Sequence, residues 1–305
     1  MHPAFSVIFF TTFSGAGYGL WFWLGMMSAT GSPLPRATAL IVLALGFTMT
    51  SLGLLSSTLH LGKPLRAWRA FSQWRTSWLS REGVLAMACL LPALGFALAL
   101  WREQDTRMFG VLLALLSLAT VACTAMIYAS LKPIPAWRHP LVVPVYLVFA
   151  LHLGGLLTLA TLSVVGAIGN TAALAVLSSS FVLWVLKRLY WRSIDHGVMP
   201  ATRASALGLP ADRTVRVFEH PHTEANYLTK EMGFVLARKH SKRLRIMAVV
   251  LFADVPALCA LPVWLLPHID AAPWLMVAAS SALLGTFVER WLFFAEAKHV
   301  VMLYY

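Results

Sequence analysis

Charged side chains are scarce in this chain: Asp, Glu, Lys and Arg make up 12% of its 305 residues, about half the roughly 25% of a typical soluble domain. Acidic residues are the scarcer kind, 12 against 24 Lys and Arg, which leaves a formal charge of +12. Cysteine is limited to Cys89, Cys123 and Cys259, with no C-x-x-C pair. All three fall inside apolar runs. They are expected to be small buried residues, and the chain alone is not expected to form disulfides or hold a cysteine-ligated iron–sulfur cluster. No basic region precedes the first apolar run, which therefore reads as a permanent span and not as a cleaved signal. These scarcities exclude a disulfide scaffold and an ordinary water-facing surface.

What is present is apolar length. Hydrophobic residues make up 59% of the chain and the mean hydropathy is +0.74. Eight runs, at 4–29, 36–60, 83–101, 109–131, 141–164, 168–187, 245–266 and 273–295, each approach or exceed the roughly 20 helical residues that cross a bilayer. The fold class this predicts is an all-α integral membrane bundle of eight transmembrane helices. Gly15, Gly17 and Gly19 in the first run, and Gly154 and Gly155 in the fifth, suggest close helix contacts, with ordinary small-residue packing as the plain reading.

The basic residues are unevenly placed. The 61–82 connection carries Lys63, Arg66, Arg69, Arg75 and Arg81, the 132–140 connection carries Lys132 and Arg138, and twelve more fall within 187–245. The alternate connections carry only Arg36, Arg102 and Arg107. The positive-inside rule then places both termini and the basic connections in the cytoplasm, and the expected location is a bacterial inner membrane. Topology and anionic lipid head groups account for the charge, so a nucleic-acid partner is not expected. Residues 1–305 read as one membrane domain, with 188–244 as a cytoplasmic docking arm inside it. A helix is expected over 224–243. A solvated, lipid-touching loop is the other reading of the arm.

The densest chemistry lies between His60 and Glu82. Gly62 and Pro64 break the second helix after His60. Arg66 and Arg69, three residues apart, project from similar sides of a short interfacial helix. Trp68, Trp74 and Trp78 suit the head-group layer. Ser80 is placed to cap the third span, with Glu82 in its first turn, where the helix dipole favours a carboxylate. That structural role suffices for Glu82 alone, as an interfacial hydrogen bond does for His60. Together the two bracket one loop with an imidazole and a carboxylate. Quinone chemistry, which moves two electrons and two protons, needs such groups beside an apolar slot.

The run His60-Leu61-Gly62-x-Pro64-x-Arg66-Ala67, with Ser80-x-Glu82 at the next span, resembles the membrane-anchor subunit of the dimethyl sulfoxide reductase family. The eight-span plan and the segment Gly285 to Phe294 fit as well, so the resemblance covers nearly the whole chain. It implies an anchor for two partners, a molybdopterin catalytic subunit and a four-cluster iron–sulfur subunit, exchanging electrons with membrane quinone (ubiquinone or menaquinone) and generally without haem. The family's quinone-site histidine and acid fall on His60 and Glu82, and its arginine on Arg66, with Arg69 one turn on. The run Lys230 to His240 is similar to that of the sulfite-oxidising members, whose catalytic unit is cytoplasmic. The long basic 188–244 connection and His152 depart from the family pattern.

Other polar groups lie within the spans. Asp254, Glu289 and Arg290 should face protein or water. They are open to a structural lock, a proton path or a quinone pocket. For Asp254, a kink at Pro256 is the plain alternative. His152 and His299 would ligate a b-type haem only if they reached the same depth, and hydrogen bonds to neighbouring helices are the plainer role. Pro221 between His220 and His222, with no cysteine nearby, makes a metal site there weak. Three function classes remain: a quinone-reactive anchor in either electron direction, a secondary transporter using the intramembrane charges, and a purely structural anchor.

Overall fold

A computed structural model of the chain describes residues 4–32, 34–58, 63–166, 168, 171–197, 199–210, 212–219, 236–266 and 268–303. Its helices are α1 (Phe5–Ala29), α2 (Arg36–Thr58), a 3-10 helix (Pro64–Gln73), α3 (Trp78–Trp101), α4 (Arg107–Ala129), α5 (Val142–Val164), α6 (Thr171–His196), α7 (Arg203–Ala206), α8 (Leu236–Val249), a π turn (Val250–Asp254), α9 (Val255–Leu265), α10 (Ala271–Ala295) and a short 3-10 helix (Val300–Leu303). Eight of the spans these form are long and apolar enough to cross a membrane, with α8, the π turn and α9 supplying one of them (His240–Leu265). No strand occurs among the described residues.

The outward faces are those of a protein bathed in lipid. On α3, Val84, Met87, Leu91, Leu94, Leu98 and Trp101 are all exposed. Their spacing of three and four residues is one continuous helical stripe. In water such a stripe would be a large unexplained apolar patch; in a bilayer it is the expected surface.

Helix α1 lies at the centre, packed against α2, α4, α5 and α10. Small residues permit the approach. A methyl group at Gly19 would run into the Ala150 carbonyl, and one at Gly154 into the Gly19 backbone. Gly25 and Gly110 meet in the same way between α1 and α4. Gly15 has nothing near its missing side chain, so the expected contact fails there.

Several boundaries differ from the hydropathy reading. Helix α3 begins at Trp78 because Ser77, not Ser80, caps it, accepting from the Ser80 amide at 3.4 Å. Helix α6 runs nine residues past 187, to His196: charged residues end the hydropathic run but not the helix. Beyond the short α7, the helix that leads into the seventh span is described from Leu236 onward. The arm between them is therefore shorter than 188–244, and much of the 224–243 helix, with His220 and His222, lies outside the described residues.

Hydrogen bonds sort the connections by face. The Val300 amide donates to the Pro133 carbonyl at 3.0 Å, and Arg203 Nε donates to the Leu303 carbonyl at 2.7 Å. The 132–140 connection, the start of the arm and the last described segment thus share one face. The basic 61–82 connection opens on the same face of an up-and-down bundle.

The α1–α5 contact is testable. Gly154→Val should destabilise the protein by about 3 kcal/mol or more, because the added groups meet backbone and not a yielding side chain. Gly15→Ala should be neutral or slightly stabilising. Thermal unfolding in detergent would check both.

Candidate functional site at the basic face

The segment after α2 folds as a 3-10 helix, whose three residues per turn place every third residue on one line. Trp68 and Phe71 form one such row, which points on to Trp74 at the cap, and Arg66, Arg69 and Ser72 form another, with Arg75 in the turn that follows. Both arginines named from the sequence, Arg66 and Arg69, are exposed here. Arg69 lies 5.6 Å from the Trp68 ring. Phe71 covers Gly83, which leaves just enough room for it, and Ser80 Oγ donates to the Ala70 carbonyl. These contacts lay the 3-10 helix across the start of α3. Arg81 fastens the connecting turn, donating to the carbonyls of Trp74 (3.0 Å) and Arg75 (2.6 Å) and stacking 4.2 Å from the Trp78 ring.

Glu82 is not in the first turn of α3. With the cap at Ser77 it lies in the second turn, buried inside the bundle. A dipole-stabilised surface carboxylate is therefore the wrong description. Its Oε1 accepts from Thr124 Oγ1 of α4 at 3.0 Å. His60 lies outside the described residues, two positions beyond the end of α2.

Beyond Thr124 the bundle holds a small cavity lined by Thr11, Thr12, Ser14, Tyr146, Thr286 and Arg290 among others. It leaves about 10 Å³ for water centres, close to what one water molecule requires. On its far side is a cluster of charges. Glu289 accepts from Lys187 Nζ at 2.6 Å through Oε1, and its Oε2 lies 3.0 Å from Arg290 Nη1. All three are buried, with Glu289 0% and Lys187 1% exposed. The Arg290 guanidinium sits 3.6 Å from the centre of the Tyr146 ring, on whose face a cation is favoured. Glu289 and Arg290 were legible from sequence; Lys187 was not, because it ended a hydropathic run and counted as a loop charge.

A second charged group stands nearer the basic face. Arg245 donates bidentately to Asp195 (2.6 and 2.9 Å) and to Glu296 (3.0 Å from Nε), tying α6, α8 and the end of α10 together. Trp191 separates the two clusters, with Lys187 Nζ 4.5 Å and the Arg245 guanidinium 5.4 Å from its ring. Asp195, Arg245 and Glu296 line a pocket of about 370 Å³ with His139, Ser193 and Lys298. Burial pushes the Glu296 carboxyl above its usual range, opposed by Arg245. Burial also holds the His139 imidazole below its usual value. Arg245 and Glu296 carried no sequence signal beyond lying at span ends.

Asp254 is half-buried on the π turn, apart from these clusters. The π turn leads directly into the helix that begins at Val255, with Pro256 in its first turn. Lacking an N–H, Pro256 leaves nearby carbonyls without helical donors. Ser281 Oγ donates to the Leu251 carbonyl at 2.8 Å, and His152 Nε2 to the Phe252 carbonyl at 2.9 Å. His152 Nδ1 lies 2.8 Å from Ser179 Oγ. Since a carbonyl only accepts, Nε2 carries the proton, and a neutral ring accepts from Ser179 at Nδ1. Both ring nitrogens are thus engaged. His299 lies beyond the end of α10, where its Nδ1 accepts from the Val301 amide at 3.0 Å. His152 is ten residues into α5, about 15 Å deeper. The structure does not bring these two histidines together as axial ligands.

Charge balance orders the mutational outcomes in the buried cluster. Glu289→Leu strands two cations and should cost about 3–5 kcal/mol. Lys187→Met leaves a neutral Glu289–Arg290 pair and should cost clearly less. Thermal melts of the two purified variants would rank them.

Comparison with known proteins agrees with the helical plan. Residues 1–295 match the family model described as DMSO reductase anchor subunit (DmsC). The chain is 33% identical to a sulfite dehydrogenase subunit of Allochromatium vinosum, in an alignment covering 100% of this chain and 99% of that protein. A full-length relative and a family match over nearly every residue, on eight spans of the expected kind, place this chain in the DMSO reductase anchor subunit family.

Proposed function

We propose that this chain is the membrane-anchor and quinone-reactive subunit of a molybdopterin/iron–sulfur oxidoreductase that passes electrons from sulfite oxidation, through an iron–sulfur subunit, to membrane quinone. The observation that carries the reading is Glu82: a carboxylate buried within a span, beneath an amphipathic 3-10 helix, at the basic end of the bundle. An intramembrane carboxylate with one hydroxyl donor is expensive to keep and is a functional group by default. The likeness to a subunit of a sulfite dehydrogenase supports sulfite as the electron source. So does the charge asymmetry, which turns this face and the soluble partners towards the cytoplasm.

The residues divide the work between proton exchange and docking. His60 and Glu82 hydrogen-bond the quinone oxygens and exchange protons with them, because two-electron reduction forms two O–H bonds. Arg66 and Arg69 hold the head group's edge and the acidic surface of the iron–sulfur subunit near the membrane. The exposed row of Trp68, Phe71 and Trp74 seats the 3-10 helix in the head-group layer. Quinone supplies the electron-accepting chemistry when bound, and the molybdopterin and clusters belong to the partners. A quinol-oxidising complex would use the same residues in reverse.

His60→Ala in the assembled complex should lower quinone-coupled turnover about a hundredfold and leave dye-linked sulfite oxidation by the soluble subunits intact. Unchanged quinone turnover would refute the assignment. Orientation has its own check. Arg69→Cys places a thiol on an exposed site in a chain whose own three cysteines are buried. A membrane-impermeant maleimide should label it in inverted vesicles and not in intact cells.

A further inference from the structure

The quinone reading uses Glu82 but leaves the buried charges and hydroxyls behind it without a task. They form one layer. Thr124, which donates to Glu82, also lines the small cavity, together with Thr12, Tyr146 and Arg290. Thr12 Oγ1, the Tyr146 hydroxyl and Arg290 Nε are buried and have no protein hydrogen-bond partner. Across Arg290 come Glu289 and Lys187, and past Trp191 come Arg245, Glu296 and the pocket at the basic face.

The depths agree. Glu82 and Tyr146 lie four residues in from the starts of α3 and α5, Thr124 five from the end of α4, and Arg290 five from the end of α10. At about 1.5 Å per residue these positions lie about 6–8 Å below the basic face. These four therefore run sideways from the α3–α4 side to α5 and α10, and Lys187, nine residues from the end of α6 and about 14 Å deep by the same measure, carries the series on to α6 through Glu289. A lock between α5, α6 and α10 would account for the three charges. It would not call for a threonine and a tyrosine hydroxyl turned into a water-sized cavity in a low-dielectric interior, where an unbonded polar group is costly.

We propose that this layer is a lateral proton route linking Glu82 to the pocket formed by His139, Asp195, Arg245 and Glu296 at the basic face. The inference rests on the reading of Glu82 as a group beside the quinone. For each quinone reduced, two electrons come from the iron–sulfur partner and two protons from water in the pocket. The protons pass through the Lys187–Glu289 pair and across the Tyr146–Thr12 cavity to Thr124 and Glu82, and the two quinone oxygens become hydroxyls. Lys187 suits a gap that a fixed hydrogen bond does not close, because its flexible stem lets the ammonium turn between Glu289 and the Glu296 side. Electrons and protons then enter from the same face, so this step moves no charge across the membrane.

Tyr146→Phe tests the route with little risk to folding, since it removes only a hydroxyl that no protein group bonds. Lys187→Met is the second variant and Glu82→Gln the reference. All are measured in the complete complex with a short-chain ubiquinone, in H₂O and D₂O. Tyr146→Phe and Lys187→Met should each lower quinone-coupled turnover about tenfold and raise its solvent isotope effect. The KM for quinone and the dye-linked rate should not change. Wild-type turnover and isotope effect in both variants, with Glu82→Gln impaired, would overturn the route and leave the quinone site standing. A raised KM with an unchanged isotope effect would make Tyr146 a quinone contact and likewise overturn it. If Glu82→Gln turns over like wild type, the quinone assignment itself falls, and the route with it.

Discussion

Glu289 holds a negative charge between Lys187 and Arg290 in a part of the bundle that solvent does not reach. An unpaired charge there would cost several kcal/mol, so the helices that carry these side chains are not free to separate. The constraint draws α6 and α10 together and, through the guanidinium on the Tyr146 ring, brings in α5. The cluster carries one excess positive charge when all three groups are ionised. The α3–α4 side is joined to α5 and α10 by packing, with the Tyr128 ring of α4 against Tyr146 and Phe293.

The same low dielectric governs the backbone. Pro256 interrupts a membrane helix, and lipid provides no donor for the carbonyls it frees. His152 and Ser281 meet that demand from α5 and α10. A histidine that looks like a ligand in sequence is thus a repair to a broken helix. Its partner, the Phe252 carbonyl, stands four residues before the proline, which is the position a proline leaves unpaired. Gly285, packed against Leu251 and Phe252, allows α10 close enough for Ser281 to reach the other carbonyl.

At the basic face a different device operates. A sequence repeating at three cannot form a clean stripe on an α-helix, but it can on a 3-10 helix. Arginines and aromatics spaced by three between Pro64 and Arg75 therefore settle into the tighter helix. The aromatic row suits the head-group layer, with the basic row beside it. Phe71 resting on Gly83 and Ser80 bonded to Ala70 fix this segment over the buried Glu82. The outer wall of the candidate site is thereby built from local sequence, while its floor is built by α4 through Thr124.

Hydropathy and charge asymmetry alone determined the class, the eight spans and the alternation of basic connections, because bilayer thickness and the insertion rule act on composition along the chain. The local run from His60 to Glu82 was enough to indicate the family. Glu82, Glu289 and Arg290 were visible as charges out of place. Where each would end up was decided by packing. Lys187 and Arg245 read as loop residues because a hydropathy average cannot see that a helix continues with one face buried. The cap at Ser77, the pairing of His152 with the carbonyl left by Pro256 and the meeting of Glu82 with Thr124 join residues that are distant in sequence or compete for one local role. Such choices are set by which helices touch and at what depth, and these are properties of the assembled bundle, not of any single segment.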